Sequence, residues 1–420
     1  PALTYAMSPA SPLQIAQVVF SLQPGGMENG VVNLSNGLPD SAARTTFLCL
    51  EEAGAFATRL RPGIAVQALD RRPGWDWRAC WRLALALNRL RPDVIHTHNL
   101  GPLIYADTAR RMLPTLWRIP IFHGEHGALQ GDGLHPKRLQ QRRRLYQRCE
   151  LVHTVSDGLR QDLIAHDLPA DKMISILNGV DCQRFRPTID RSQARQACGL
   201  PADALVIGAV GRFIATKRYP LLIEAFESLA KDHPRLQLMI LGDSGPEREN
   251  VHQLARQSPV AARIHLKGHQ AEPAPFYQAM DLLAMPSSHE GLANALLEAM
   301  ASGVPALAHA ACGAAEVIED GVSGFLTHID TAADLARRIA SLIVAFRYGS
   351  RAMASRVDMP ALSISRRSFS TTCGCVETPA PVGTLAAGAN ASSAKSTPSG
   401  VARYRTTLHC PDTANTQTTS

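Results

Sequence analysis

The chain has 420 residues, 45% hydrophobic and 19% charged, with a formal net charge of +7. That length allows two or three domains with sizeable cores, and the composition fits a soluble globular protein. No run approaches the ~20 apolar residues of a membrane-spanning helix, and the nine cysteines include no CxxC pair and no Cys/His cluster of zinc spacing, so neither a spanning helix nor a zinc module is expected. A pI near 9.1 favours acidic partners: phosphorylated small molecules, anionic lipid or nucleic acid. Scattered, odd-numbered cysteines read as thiols in a reducing compartment. The N-terminus lacks the charged region and apolar run of a signal peptide, so a cytoplasmic location is expected, with contact to a membrane surface left open.

In chain order, residues 1–13 read as disordered. Ile15 to Leu22 ("IAQVVFSL") reads as a buried strand, and "GGMENGVVNLSNGL" follows as a Gly-rich turn and helix start. "TTFLCL" is a second strand. "DWRACWRLALALNRLRPD" has helical spacing and stops at Pro92. Asp93 to His98 ("DVIHTH"), Ile119 to His126 ("IPIFHGEH"), "LVHTVS" and "ISILNGVD" follow. This is the β-α-β rhythm of a parallel sheet with helices on both faces. A second unit of the same kind begins near residue 200, with "ALVIGAVGRF" entering a Gly turn and "PLLIEAFESLAKDHP" as an amphipathic helix. The strands "LQLMILGDSGP", "RIHLKGH", "MDLLAMPS" and "VPALAH" come after it. The polar, Pro- and Gly-containing stretch "DCQRFRPTIDRSQARQACGLPAD" reads as the linker. The expected units are therefore 14–190 and 191–345. Residues 346–420 lose the hydrophobic periodicity and are rich in Ser, Thr, Ala, Pro and Gly, so they read as a disordered tail.

The segment "HEGLANALLEAMASGVP" carries Glu290 and Glu298. On one helix, eight positions give about two turns and roughly 12 Å of rise, too far to share a proton. Gly291 suggests a turn, which puts Glu290 in a loop and Glu298 inside the following helix. The amides from Gly291 to Ala295 would then lie at a helix N-terminus, a natural anion site. A loop acid, an amide cradle and a helix acid can contact successive parts of one elongated ligand, and carboxylates accept well from sugar hydroxyls. Read alone, the same pattern also suits two solvated acids. Arg212 and Lys217, after a strand and a Gly turn, offer a fork and a point charge suited to phosphate, or are plain surface cations. Gly25 and Gly26 let a backbone approach a ligand closely, or form an ordinary strand-to-helix turn.

Histidines crowd the first unit at His96, His98, His123, His126, His135 and His153. His98 and His126, at strand ends, could line a cleft. No HExxH motif and no DxD triplet accompanies them, so no metal is expected. Lys137 to Arg148 ("KRLQQRRRLYQR") holds six cations and no acid. It reads as a helix with either a solvated basic face or a dock on anionic lipid, through Lys137, Arg138, Arg142, Arg143, Arg144 and Arg148. With one aromatic and no recognised nucleic-acid motif, nucleic acid is not expected as a partner.

Together these pieces resemble the family 4 glycosyltransferases over about residues 14 to 344. The E-x7-E block "EGLANALLEAMASGVPALA" is the most specific part. Around it stand, in the family's order, "GGMENGVVNL", "PDVIHTHN", "IPIFHGEHG", "VSDGLRQDL", "ILNGVDCQRFRP", "VGRFIATKRYPLLIEAF", "LMILGDSGP" and "GVSGFLT". The resemblance implies the GT-B fold, an α/β architecture of two facing Rossmann-like domains with parallel sheets, the acceptor-side domain first and the donor-binding domain second. It implies transfer of a sugar from a nucleotide-diphosphate donor with retained anomeric configuration, and no cofactor or required metal. By position, Glu298 would hold the donor ribose and Glu290 would sit near the donor sugar. Arg212 and Lys217 would neutralise the diphosphate, assisted by amides near Leu292, Ala293 and Asn294, with Gly25 and Gly26 beneath the donor phosphate and sugar. His126 falls at the family's cleft histidine, with His123 as its rival, while Asp243 and Gly245 lie in a structural turn. "GGMENG", "GEHG" and "RRPGWDWRACWRL" further suggest sugar transferases of bacterial exopolysaccharide production, with a saccharide or lipid-linked acceptor. An inactive nucleotide-sugar-binding protein and a GT-B nucleotide-sugar epimerase are the alternatives. The family ends with helices, the last of which crosses back to the first domain. Here the pattern collapses after "LARRIASLIVA", as a reading-frame shift near residue 345 would produce.

Overall fold

Aliphatic runs bounded by polar turns form two parallel sheets in the computed structural model, which describes residues 11–310 and 312–352. The first sheet contains β1 (Leu13–Val19), β2 (Ala43–Cys49), β3 (Ala65–Ala68), β4 (Val94–His98), β5 (Ile121–Glu125), β6 (Leu151–Thr154) and β7 (Met173–Ser175). Helices α1 (Gly26–Gly37), α2 (Trp77–Leu90), α3 (Leu100–Met112), α4 (Pro136–Tyr146) and α5 (Asp157–Ala165) link them. The strand order is β3-β2-β1-β4-β5-β6-β7, with Ile15 opposite Thr45 on one side and Val94 on the other.

The second sheet contains β8 (Leu205–Val210), β9 (Leu236–Leu241), β10 (Ile264–Leu266), β11 (Leu282–Met285), β12 (Ala306–His309) and β13 (Phe325–Thr327) in the order β10-β9-β8-β11-β12-β13. Its helices are α6 (Arg191–Ala197), α7 (Tyr219–Ala230), α8 (Arg248–Gln257), α9 (Ala274–Ala279), α10 (Asn294–Ala301) and α11 (Ala332–Ala352). Central strands read as continuous apolar runs because helices cover both faces; every residue of β9 is buried.

Local signals set the helix ends. The Asp76 carboxylate accepts from the amides of Arg78 and Ala79 to start α2, and Arg91, at φ 46°, ends it before Pro92. Leu83, Leu87, Ile95 and Val152 anchor the first core; Phe213, Leu222, Phe226, Leu238 and Ile339 anchor the second. Leu292 and Leu297, from the β11–α10 segment, pack into the first core and tie the two halves together.

Several sequence-based boundaries move. The first strand spans Leu13–Val19 rather than Ile15 to Leu22, so Leu13 leaves the segment expected to be disordered. The chain joins the second unit before residue 190: Phe185 is 2% exposed and meets Tyr277 edge-on at 5.8 Å. The last helix continues to Ala352, past the boundary expected at 345. The remaining tail and its frame shift lie outside the described residues. In both sheets the direction of winding reverses, between β1 and β4 and between β8 and β11. Ligands of such sheets bind beyond the strand carboxyl ends at these reversals.

Candidate active site

At the first reversal the chain leaves β1, passes Leu22 and enters α1 through Gly25, which is extended and offers no side-chain cap. The start of α1 therefore takes no cap from its N-cap residue, and the side chain that lies over it is that of Glu28. Glu28, in this first turn, has its carboxyl raised by burial, opposed by a bond to its own backbone and by the charge of Arg212.

Beside this turn, β4 and β5 deliver histidines. His98 is 1% exposed; its Nε2 lies 2.8 Å from Gln17 Oε1 and its Nδ1 2.9 Å from His126 Nε2. Burial pushes His126 down to about 3, His153 and His123 push the same way, and Glu125 opposes them. His123 is fully buried between Thr97 Oγ1 at 2.8 Å and Glu125 Oε1 at 3.3 Å. It is a core residue, so His126 is the one of the two that reaches the opening.

At the second reversal, β8 leads through Gly211 to Arg212, and Lys217 follows in a short turn. Lys217 Nζ pairs with Glu290 Oε1 at 2.6 Å, both side chains at least four-fifths buried. Glu290 lies in the loop after β11, held by a Ser288 amide to Thr216 carbonyl bond of 2.9 Å. Helix α10 starts at Asn294 behind an Ala293 that offers no side-chain cap. Glu298 lies on α10, 8% exposed. Its Oε2 accepts from the Tyr277 hydroxyl at 2.8 Å and its Oε1 from Asn29 Nδ2 at 3.2 Å. Burial raises its carboxyl, while the bonds from Tyr277 and Asn29 and the charges of Arg184 and Arg59 pull it down.

Hydrogen bonds join the two reversals into one cleft. Asn294 Nδ2 donates to the Gly26 carbonyl at 2.7 Å, Asn29 on α1 reaches Glu298, and Asn178 Nδ2 donates to the Leu292 carbonyl at 2.8 Å. The carbonyl of His126 lies 2.8 Å from where a Cβ on Gly291 would sit. The structure thus brings together Gly25, Gly26, His126, Arg212, Lys217, Glu290, Gly291, Leu292, Ala293, Asn294 and Glu298.

The Glycosyltransferase Family 4 profile matches residues 24–184, and that of Glycosyl transferases group 1 matches residues 190–345. The chain belongs to the family 4 glycosyltransferases. One family relative, a lipopolysaccharide core biosynthesis glycosyltransferase, LpsE, of Rhizobium meliloti, is 38% identical over 143 residues, 34% of this chain and 41% of that protein. Another, D-inositol 3-phosphate glycosyltransferase of Corynebacterium aurimucosum, is 29% identical over 272 residues, covering 60% and 63%. The chain thus spans less than two thirds of the length of these relatives. Anabaena HepE, crystallised with UDP-glucose, superposes with a TM-score of 0.74 at 24% identity over 85% of this chain and 95% of that one. The fold is GT-B.

Within the family frame, the residues that sequence reasoning missed are partners of those it found. Asn29 stands in the quoted "GGMENG", three positions after Gly26, where helical spacing puts both near one face. Tyr277 carries no sequence signal, because its bond to Glu298 exists only through the packing of α9 on α10. Asp243 and Gly245 form a turn, with Asp243 paired to His252 at 2.7 Å and Arg248 at 3.0 Å. Among the described residues no group of three or more His, Cys, Asp and Glu side chains is placed to hold a metal, and no helix is long and apolar enough to cross a membrane. A separate open concavity of about 400 Å³, lined by Glu51, Glu52, Asp70, Arg71 and Pro73, lies off this centre. A Gln23–Glu52 bond of 2.5 Å ties it to the Gly25 turn.

The basic helix is corrected. Arg142 is 8% exposed and faces inward to Glu125 Oε1 at 3.4 Å, so it does not belong to a lipid-facing set. Arg138, Arg143 and Arg148 pair with Asp132, Asp167 and Asp107. Lys137 and Arg144 form no ion pair among the described residues.

Proposed function

We propose that the protein transfers a sugar from a nucleotide-diphosphate donor to a saccharide or lipid-linked acceptor in cell-surface polysaccharide synthesis. The observation that carries this reading is the single cleft in which Gly26, Asn294, Glu298, Glu290, Lys217 and Arg212 converge from both sheet reversals. In it, Glu298 takes the ribose hydroxyls, exchanging its bond with Asn29 for them. Glu290 takes hydroxyls of the donor sugar. Arg212, Lys217 and the N-terminal amides of α10 stabilise the diphosphate as it leaves with growing negative charge. The Lys217–Glu290 pair holds both side chains in place before the donor arrives. The sugar passes to an acceptor hydroxyl with its anomeric configuration retained, and these cations supply the positive charge that another enzyme takes from a metal. Resemblance to a lipopolysaccharide core enzyme supports the surface-polysaccharide setting, and Lys137 and Arg144 supply a modest attraction to an anionic inner membrane face.

The test is a panel of UDP-, GDP- and ADP-sugars, screened by thermal shift and then by transfer in EDTA with saccharide acceptors. Donor-dependent stabilisation followed by an anomer-retained product is expected. Stabilisation without product or donor hydrolysis identifies a binding protein, and a free epimer appearing without acceptor identifies an epimerase.

A further inference from the structure

We propose that Gln17 and His98 are positioning residues for His126: they hold its imidazole with the proton on Nε2 and leave Nδ1 to accept a hydrogen bond from a hydroxyl of the bound sugar. This rests on the transferase reading above.

The argument starts from Gln17. On β1 it is 1% exposed, and its Oε1 can only accept, so the 2.8 Å contact requires His98 Nε2 to donate. A neutral imidazole carries one N–H, which leaves His98 Nδ1 as a bare acceptor. The 2.9 Å contact to His126 then requires His126 Nε2 to donate. His126 is neutral for the same reasons of burial, so its Nδ1 carries a lone pair and no proton. No described residue bonds to that nitrogen, and it is not among the buried atoms lacking a partner. A group that only accepts cannot bind an unprotonated diphosphate; it selects O–H, the group that a sugar ring presents.

The surroundings keep both rings neutral. Burial disfavours charge on His96 and His98 of β4, on His126 just after β5 and on His153 of β6, and the neighbouring imidazoles push the same way. The opposing charge, Glu125, is taken up by Arg142, Tyr146 and His123. Gly124 gives the rings room, since a Cβ there would sit 2.7 Å from His153 Nε2 and 2.9 Å from His126 Nε2.

Nitrogen-15 NMR of the imidazoles in the full chain, with turnover of whichever panel nucleotide sugar is active, tests the relay. In the parent, His126 is expected as the Nε2–H tautomer. Gln17→Met removes the acceptor at similar size; mixed tautomers at His98 and His126 are expected, with kcat/KM about 2- to 10-fold lower. Gln17→Glu keeps an acceptor, so the parental tautomer and turnover are expected at high pH. Its carboxylate also favours a protonated His98, so the acid limb of the rate profile moves to higher pH. An unchanged His126 tautomer in Gln17→Met overturns the proposal, as does an unmoved acid limb in Gln17→Glu. His126→Ala separates the layers. Parental turnover there overturns both the relay and the placing of His126 at the sugar. Slow turnover there, beside parental tautomers in Gln17→Met, overturns the relay alone.

Discussion

Glu298 has a structural duty in the described fold and, on the proposed function, a ligand to hold as well. Both its oxygens accept hydrogen bonds in a nearly solvent-free site, one from each half of the molecule. Glu298→Gln must turn an NH2 toward either the Tyr277 hydroxyl or the Asn29 amide, each of which donates. One donor then goes unsatisfied, a cost of about 1–3 kcal/mol by urea unfolding at pH 7. Stabilisation by the donor should fall further, because the ribose loses its acceptor; undiminished donor stabilisation in this variant refutes the ribose assignment. The pH dependence has a definite sign. Burial raises the folded-state pKa of Glu298, so its contribution to stability is fully present below the ordinary carboxylate value of 4.5 and is lost as pH rises through the raised value. The parent should therefore gain on Glu298→Gln as pH falls toward 4.5. Glu290, Glu298, Arg212 and Lys217 were legible because their types and order repeat a known pattern. Asn29, Tyr277 and Gln17 were not, since each acts through a contact that only the assembled sheets create.

At the level of elements, the loop between β11 and α10 has little freedom. A Cβ on Gly291 would lie 2.8 Å from both the His126 carbonyl and Val155 Cγ2, neither of them a flexible chain end. Gly291→Ala should displace the loop, lower stability by about 1–3 kcal/mol and reduce transfer by more than the loss of folded protein explains. Activity that merely tracks the folded fraction would show that the loop tolerates the shift. Helix α4 makes a second case. Arg142→Ala removes the guanidinium beside buried Glu125, leaves it only Tyr146 and His123 as partners, and should cost up to about 3–5 kcal/mol. Replacing Lys137 and Arg144 together should leave unfolding unchanged and weaken binding to anionic vesicles; equal vesicle binding would remove α4 as the dock. The charge run was legible in the sequence, but its inward-facing member was not, because Glu125 lies on a different strand. The same holds for strands: β1 and β9 announce themselves as aliphatic runs, whereas β3 and β13 are short sheet edges without a fully buried residue and give no such signal.

For the molecule as a whole, the strand-end histidines predict the response to acid. His96, His98, His126 and His153 all have imidazoles depressed by burial, His126 to about 3 and His153 to about 4. In the unfolded chain each returns to the ordinary value near 6.5. Their contribution to stability is therefore present above about 6.5 and is lost as pH falls through that value toward 4 and then 3. Each histidine that binds its proton only on unfolding adds up to about 1.4 kcal/mol of loss per pH unit. The raised carboxylates Glu28, Asp281 and Glu298 act with the opposite sign, so between pH 6.5 and 5 the imidazole share is read from the difference between the parent and His153→Asn. Urea unfolding across that interval should show a steep fall in stability. His153→Asn should reduce the slope by about one proton, because His153 contributes one of the imidazoles that stays neutral only when folded. Acid sensitivity is thus concentrated in the first sheet, along one wall of the cleft, with four such imidazoles against the two that burial depresses in the second, His265 and His309. Acid should accordingly weaken donor binding before the second sheet unfolds. A slope that is the same in parent and His153→Asn would show that these histidines are charged in the folded protein and that the cleft wall is wetter than its packing indicates.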